Sequence, residues 1–263
     1  MFTTVIVPLD GSTLSESALR PGQAVARRLG VPLQLLSSSW GGTTSDSEKY
    51  LGGVAAELDV EDVRTVVVAD QFAVSAIRDA AEAEEAPLIC MATHGRTGIG
   101  RALLGSTAEE VIRSVDGPVL LVGPKSEPLP DGGPTDLVVT LDGSFTAATA
   151  LDMAKGVAAT LGLSIVVVTV LDGEDTSDDP HRVDATVAEL VAGGIDARAE
   201  ILRGKDAAGA IADLAHGLAA PMLCMATHGR GGMQRTALGS VAMRVVHQVT
   251  CPVLVARPAE PLA

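Results

Sequence analysis

The chain is poor in aromatic residues, in basic residues and in cysteine, and each shortage excludes something. Phe, Trp and Tyr together make up 2% of its 263 residues, so the core has to be built from Val, Leu, Ile and Ala. That mixture suits parallel strands covered by helices. Only 19 Lys and Arg stand against 33 Asp and Glu, a net charge of −14, and no dense basic run occurs. Contact with a phosphate backbone needs clustered cations, so a nucleic-acid partner is not expected. Cys90, Cys224 and Cys251 are odd in number, lack a Cys-x-x-Cys spacing and lie in apolar segments. They read as reduced core thiols and not as disulfides or a metal cage. Long hydrophobic runs are missing too: a stretch such as 163–171 is about half the roughly 18 residues that suggest a membrane span. The opening MFTTVIVPLD carries no basic segment of the kind that starts a signal peptide, so the expected location is the cytoplasm, with no membrane partner.

What the sequence does contain is a second copy of itself. MATHGR occupies 91–96 and again 225–230, an offset of 134 residues. At that offset residues 70–122 and 204–256 match without a gap at 25 of 53 positions, including Cys90/Cys224, Pro87/Pro221 and Pro118/Pro252. Nearer the start of each copy the offset is 132, where Val7-x-Leu9-Asp10-Gly11-Ser12 matches Val139-x-Leu141-Asp142-Gly143-Ser144. A repeat of this size is two domains in tandem. Between the copies, residues 123–134 hold four prolines and three glycines, which deny both helix and ladder. The expected organisation is therefore a domain over 1–123, a linker over 124–135 and a second domain over 136–259.

Each copy alternates short Val/Ile/Leu runs with longer helical patterns, the sequence form of a parallel sheet with crossover helices. Strands are expected near 4–9, 33–38, 64–69, 87–92 and 118–122, and helices near 13–29, 46–58, 73–85 and 106–115. The second copy places strands near 136–141, 164–170, 197–202, 221–226 and 252–256, and helices near 145–161, 181–193, 207–219 and 240–249. Asp-Gly-Ser after the first strand of each copy reads as a strand-to-helix turn with the serine as N-cap. Ligands of such sheets bind at the carboxyl ends of the strands, where strand order reverses.

After the fourth strand the copies read Ala92-Thr93-His94-Gly95, nine residues, Gly105-Ser106, and Ala226-Thr227-His228-Gly229, nine residues, Gly239-Ser240. Glycine lets a backbone approach an anion closely, and a Gly-Ser that opens a helix offers free amides, a hydroxyl and the positive end of the helix dipole. Phosphate is the natural guest. The run from Gly100 to Gly105-Ser106-Thr107 is not a Walker loop, because it lacks the lysine and its second copy lacks the first glycine. Nor is it a dinucleotide fingerprint, since these glycines follow the fourth strand and not the first.

At these residues the chain resembles the universal stress protein family, in the form of two tandem domains that fill nearly all of its length. The nucleotide-binding branch of that family carries Gly, two residues, Gly, nine residues, Gly-Ser/Thr, and ends in an apolar strand of the kind seen here at Pro118-Val-Leu-Leu-Val122 and Pro252-Val-Leu-Val255. Both copies depart at the first position, where Ala92 and Ala226 stand for glycine. The resemblance implies two Rossmann-like α/β domains of the adenine nucleotide alpha hydrolase-like kind, each an open five-stranded parallel sheet of order 3-2-1-4-5. It implies ATP or a related adenine nucleotide as ligand, with Mg accompanying it, at two sites per chain. Carried over residue by residue, the first site is Pro8, Asp10, Ala92, Gly95, Arg96, Gly105, Ser106 and Thr107. The second is Asp142, Val170, Gly204, Ala226, Gly229, Arg230, Gly239, Ser240 and Val241. Ser38 and Asp70 occupy the places of Val170 and Gly204, which makes the second site the more regular. The resemblance further implies that the halves pack as an intrachain pseudo-dimer through their last strands. Dimers of the tandem chain are open to it.

Several of these residues have a second reading. Asp-Gly is a common turn, and Asp10 and Asp142 can serve as helix caps. Ser106 and Ser240 can be plain N-caps, although capping and phosphate binding use the same amides. His94 and His228 have no second histidine or carboxylate at ligand spacing and read as polar neighbours of the loop. Arg96 and Arg230 fit either phosphate neutralisation or a solvated surface. No nucleophile elbow, zinc-protease motif or carboxylate pair appears, so no catalytic residue or protein metal site is assigned. The expected function is a nucleotide-responsive stress regulator with an unknown protein partner. The alternatives are an interaction module with empty loops and a slow ATPase or adenylyl-transfer enzyme.

Overall fold

A computed structural model describes residues 2–39, 44–95, 104–130, 132–172, 179–227 and 238–256, the side chains of Phe145, Asp179 and Pro180 aside. In the first copy β1 (Thr4–Pro8), α1 (Thr13–Glu16), α2 (Leu19–Leu29), β2 (Leu33–Ser39), α3 (Ser45–Ala56), β3 (Val63–Ala69), α4 (Ala73–Glu82), β4 (Pro87–Ala92), α5 (Ser106–Ser114) and β5 (Val119–Val122) follow one another. The second copy runs β6 (Asp136–Thr140), α6 (Phe145–Leu161), β7 (Ser164–Leu171), α7 (Asp179–Ala192), β8 (Ala197–Arg203), α8 (Ala207–His216), β9 (Pro221–Ala226), α9 (Ser240–Gln248) and β10 (Val253–Ala256).

Each half keeps the expected strand order 3-2-1-4-5, and the last strands meet as the resemblance implied; what needs correcting is that the two sheets are not each open, for they run on as one sheet of ten, in the order β3-β2-β1-β4-β5-β10-β9-β6-β7-β8. Pairing is parallel within each half and antiparallel only where β5 meets β10, with Leu120 opposite Leu254. Both leucines are buried, each worth about 1.5–3 kcal/mol relative to exposure. The join also removes two open edges from the middle of the molecule. The outer edges, β3 and β8, carry Arg64, Arg198, Glu200 and Arg203, charges that discourage further strand pairing.

Alternation along the strands sorts side chains into two apolar layers. Val119, Leu121, Val253 and Val255 join Ile77 of α4, Val111 of α5, Ile211 of α8 and Val245 of α9 on one face. Leu120, Val122 and Leu254 join Val25 of α2, Leu51 of α3, Ala154 of α6 and Leu190 of α7 on the other. Each layer crosses the β5–β10 join, so neither half keeps a core to itself. Arg28 of α2 adds a polar tie, donating to the carbonyls of Gly132, Pro134 and Gly162 at 3.1, 2.8 and 3.3 Å.

The helix expected over 13–29 is two helices, α1 and α2, and Pro21 is the cause. Proline in a helix interior has no N–H to give and its ring clashes with the carbonyl four residues back, here Ser17. The chain breaks at Ser17 and Ala18, whose amides bond three residues back, to Leu14 and Ser15, and Pro21 falls in the first turn of α2, where its missing N–H costs nothing. The matching position in the second copy is Met153, and α6 runs unbroken for 17 residues.

Candidate functional site

Both copies fold the turn after their first strand in the same way. Gly11 and Gly143 take φ of 80° and 74°, a left-handed conformation that glycine adopts without steric cost. Ser12 is the N-cap of α1, its hydroxyl accepting from the Ser15 amide at 3.2 Å, and Ser144 caps α6 through the Ala147 amide at 3.2 Å. The capping alternative for the aspartates therefore falls to the serines. Asp10 instead braces the cap, its Oδ1 accepting from the Ser12 amide at 3.0 Å and hydroxyl at 2.6 Å. Asp142 repeats both bonds with Ser144 at 3.0 and 2.6 Å.

The glycine loops also repeat. Thr93 is buried, and its amide donates to the carbonyl of Val122 while its own carbonyl accepts from Gly105 at 2.8 Å. Thr227 is placed alike, with Ala256 and with Gly239 at 2.6 Å. These bonds bring the start of the following helix beside the end of β4 or β9. The N-caps are Gly105 and Gly239, so Ser106 and Ser240 are the first helical residues and not the caps that one reading of the sequence allowed. A glycine cap has no side chain to give to the first amides of α5 or α9, which leaves those amides to another acceptor.

In the first copy the two turns face each other across a cavity of about 320 Å³, within the range of small-molecule sites. Pro8, Asp10, Ala92, Gly95, Gly105, Ser106 and Thr107 all line it. Arg96 lies outside the described residues. Much of the remaining wall is apolar, formed by Leu36, Ala73, Ala76, Ile77 and Met91, with Ser38 where the second copy has Val170, and Ser15, Thr93 and His94 add polar groups. One end is thus rich in amides and hydroxyls, the other greasy, and a carboxylate stands between. A Cβ on Gly95 would collide with the Asp10 carboxylate, and one on Gly105 would sit 2.7 Å from the Thr93 carbonyl oxygen. Gly105 is therefore required by close approach of backbone, whereas a side chain at Gly95 would have to displace the Asp10 carboxylate. Asp70, at the end of β3, takes φ of 53°, a left-handed conformation that aspartate tolerates better than most residues.

The second set is described in part. Asp142, Gly239 and Ser240 hold the places just given; Ala226 ends β9 beside Ala256, Val170 packs on the first apolar layer, and Val241 is 38% exposed. Gly204 follows β8 and its amide donates to the Leu171 carbonyl at 3.0 Å. Gly229 and Arg230 lie outside the described residues.

One neighbour of the first cavity was not legible in the sequence. His94 lines it, and the ring of His247, from the last turn of α9 in the other half, lies 5.7 Å from the His94 ring at an interplanar angle of 80°. No spacing rule links residues more than half a chain apart.

The three cysteines are core residues. Burial pushes the Cys224 and Cys251 thiols up to about 12, and that of Cys90 further still. Among the described residues no group of three His, Cys, Asp or Glu is placed to hold a metal, and no helix is long and apolar enough to cross a membrane.

The fold and the site together define a class, a doubled α/β protein with a crevice at the carboxyl end of its parallel strands. A sequence model of the universal stress protein family matches residues 1–123 and 135–257, and the chain belongs to that family. A universal stress protein of Mycobacterium tuberculosis is 25% identical over 287 residues, 96% of this chain and 96% of the relative. The crystal structure of a universal stress protein from Archaeoglobus fulgidus superposes with a TM-score of 0.75 at 22% identity, covering 98% of this chain and 99% of that one. A universal stress protein solved in complex with cAMP covers 48% of this chain and 98% of its own, at 21% identity and a TM-score of 0.39.

Proposed function

We propose that the chain binds ATP or a related adenine nucleotide, at two sites, and serves as a nucleotide-responsive stress regulator in the cytoplasm. The observation that carries this reading is the first cavity, where an uncapped helix N-terminus, a glycine loop, one braced aspartate and an apolar wall converge. Each part suits one part of the ligand. Leu36, Ile77 and Met91 offer apolar surface to a base. Asp10 can accept from ribose hydroxyls, and Ser12 holds it in one orientation. The amides that open α5, with the hydroxyls of Ser106 and Thr107, suit a phosphate chain. A Mg ion would come with the phosphates. Asp142, Gly239 and Ser240 repeat the arrangement in the second half, which is the ground for two sites. Pairing of tandem chains and a protein partner that reads the nucleotide state complete the proposal.

The test is heat release of small molecules from freshly purified protein, identified by mass spectrometry, with calorimetric titration of ATP. Two nucleotides per chain are expected, one lost in Gly95→Val and the other in Gly239→Val. No nucleotide and no heat at millimolar ATP would refute binding, and would favour a family member that works through contacts alone.

A further inference from the structure

Arg20, Arg27 and Arg28 all belong to α2, in a chain with only 19 basic residues against 33 acidic ones. Arg20 and Arg27 are two helical turns apart and share one side of the helix, with Gln23 and Ala24 between them. That side meets the segment joining the halves. The three arginines, together with Leu129 and Pro130, line a recess of about 330 Å³, within the range of small-molecule sites. It shares no lining residue with the first cavity.

Each guanidinium stands differently. Arg28 gives its terminal nitrogens to the Gly132, Pro134 and Gly162 carbonyls, neutral acceptors that leave its charge in place. Arg27 lies 2.9 Å from Asp59, but the two side chains are 50% and 82% exposed, and a pair so wet is worth little. Arg20 is exposed and has no ion pair among the described residues. No described lining residue is acidic. Even counting Asp59, and Asp131 of the joining segment, which lies outside the described residues, two carboxylates stand against three guanidinium groups. The recess is thus a positive pocket in a chain of net charge −14. A compact anion with several acceptor oxygens suits the planar forks of Arg20 and Arg27, which can each grip two of them. In the second copy Asp152, Ala159 and Thr160 hold the three places, so the pocket belongs to the first half alone.

We propose that this recess is an anion site separate from the nucleotide crevices, taking a small phosphate-bearing molecule between Arg20 and Arg27 and against the joining segment. Arg28 ties that segment to α2 and to the Gly162 end of α6 beside the ligand. Occupancy therefore stiffens the connection between the halves. The inference does not rest on the nucleotide-binding reading.

The experiment uses the full chain with ¹⁵N-labelled arginine, titrated with inorganic pyrophosphate and, at matched ionic strength, with chloride. Pyrophosphate should shift the side-chain signals of Arg20 and Arg27 and saturate at one per chain, leaving Arg64 and Arg78, exposed on β3 and α4, unmoved. Arg20→Gln, at a position with no partner to lose, should fold as wild type and weaken pyrophosphate binding about tenfold. Arg20→Lys, which keeps the charge and loses the fork, should recover only part of the loss. Pyrophosphate should also slow proteolysis of the joining segment in wild type and not in Arg20→Gln. Equal shifts at Arg64 and Arg78, or equal shifts with chloride, would mean an adventitious ion only and overturn the proposal. So would Arg20→Gln protein that binds as tightly as wild type. Signals that ignore pyrophosphate and move with a polyglutamate peptide would overturn it in favour of an acidic protein partner. ATP binding in the crevices is measured apart from all of these, and its failure would leave the proposal standing.

Discussion

Replacing Gly105 by alanine separates a steric requirement at the site from an ordinary loss of stability. Gly105 has φ of −61° and ψ of 143°, a conformation open to any residue, so the backbone itself raises no objection. The obstacle is the Thr93 carbonyl oxygen, 2.7 Å from the new Cβ, where ordinary contact begins at 3.4 Å. A gap of about 0.7 Å has to open, and it opens at an amide that ties the start of α5 to the end of β4. Crowding of this kind costs about 1–3 kcal/mol. It also displaces the helix start by more than the roughly 0.5 Å that a binding constellation tolerates, so ATP affinity at the first site should fall about tenfold or more. Gly30→Ala is the control: this glycine has φ of 64° with nothing within 4 Å of an added Cβ, and alanine there costs about 1–2 kcal/mol through backbone strain alone. Urea unfolding should show comparable losses for the two variants, and calorimetry should show weakened binding only for Gly105→Ala. Equal binding by the two variants would refute the argument, whether both bind as wild type or both are impaired.

Further outcomes follow from the same geometry. With thiols held near 12, about one part in 10⁴ of Cys224 and Cys251 is thiolate at pH 8, so a thiol reagent should label the native chain only after denaturant is added. These raised values also stabilise the folded state below about pH 9, and that contribution is lost as pH rises towards 12. The unfolded chain then releases protons that the native state keeps, at about 1.4 kcal/mol per pH unit for each thiol. Urea midpoints of wild type and Cys224→Ala at pH 8, 9 and 10 should diverge accordingly. Asp206 accepts from the Gly209 amide and pairs with Arg244, which hold its carboxyl below the ordinary 3.8. Its contribution is therefore present above that value and lost as pH falls through the lowered one, so Asp206→Ala should be less stable than wild type at pH 7 and nearly equal to it at pH 2. Arg28→Ala releases the Gly132 and Pro134 carbonyls, and limited proteolysis should cut the joining segment several-fold faster.

Strands and helices were legible wherever period and punctuation agreed. The span 221–226 and the span 145–161 are found as read, the first bounded by proline and a loop, the second by a serine cap and a glycine C-cap at φ of 60°. The break between α1 and α2 was written in the sequence as Pro21, but the apolar period runs on through it and conceals it. Which of Gly105 and Ser106 caps α5 could not be read, because both residue types favour that place and the Thr93 carbonyl decides between them. The joining of the two sheets came from resemblance and not from pattern, since a four-residue apolar strand carries no mark of its partner. The meeting of His94 with His247 depends on that join, and nothing in the spacing of the two residues announces it.

The pairing of β5 with β10 joins the halves as two subunits of a dimer would be joined, but a dimer of identical chains carries every mutation twice. A fused chain carries it once. Pro21 breaks a helix in one half where Met153 continues it in the other; Phe72 stands exposed where Asp206 caps a helix; Arg113 meets Glu109 where His247 meets His94. None of these differences could exist between the faces of a symmetric pair. Covalent fusion thus fixes the stoichiometry at one of each half and leaves the two halves free to specialise separately.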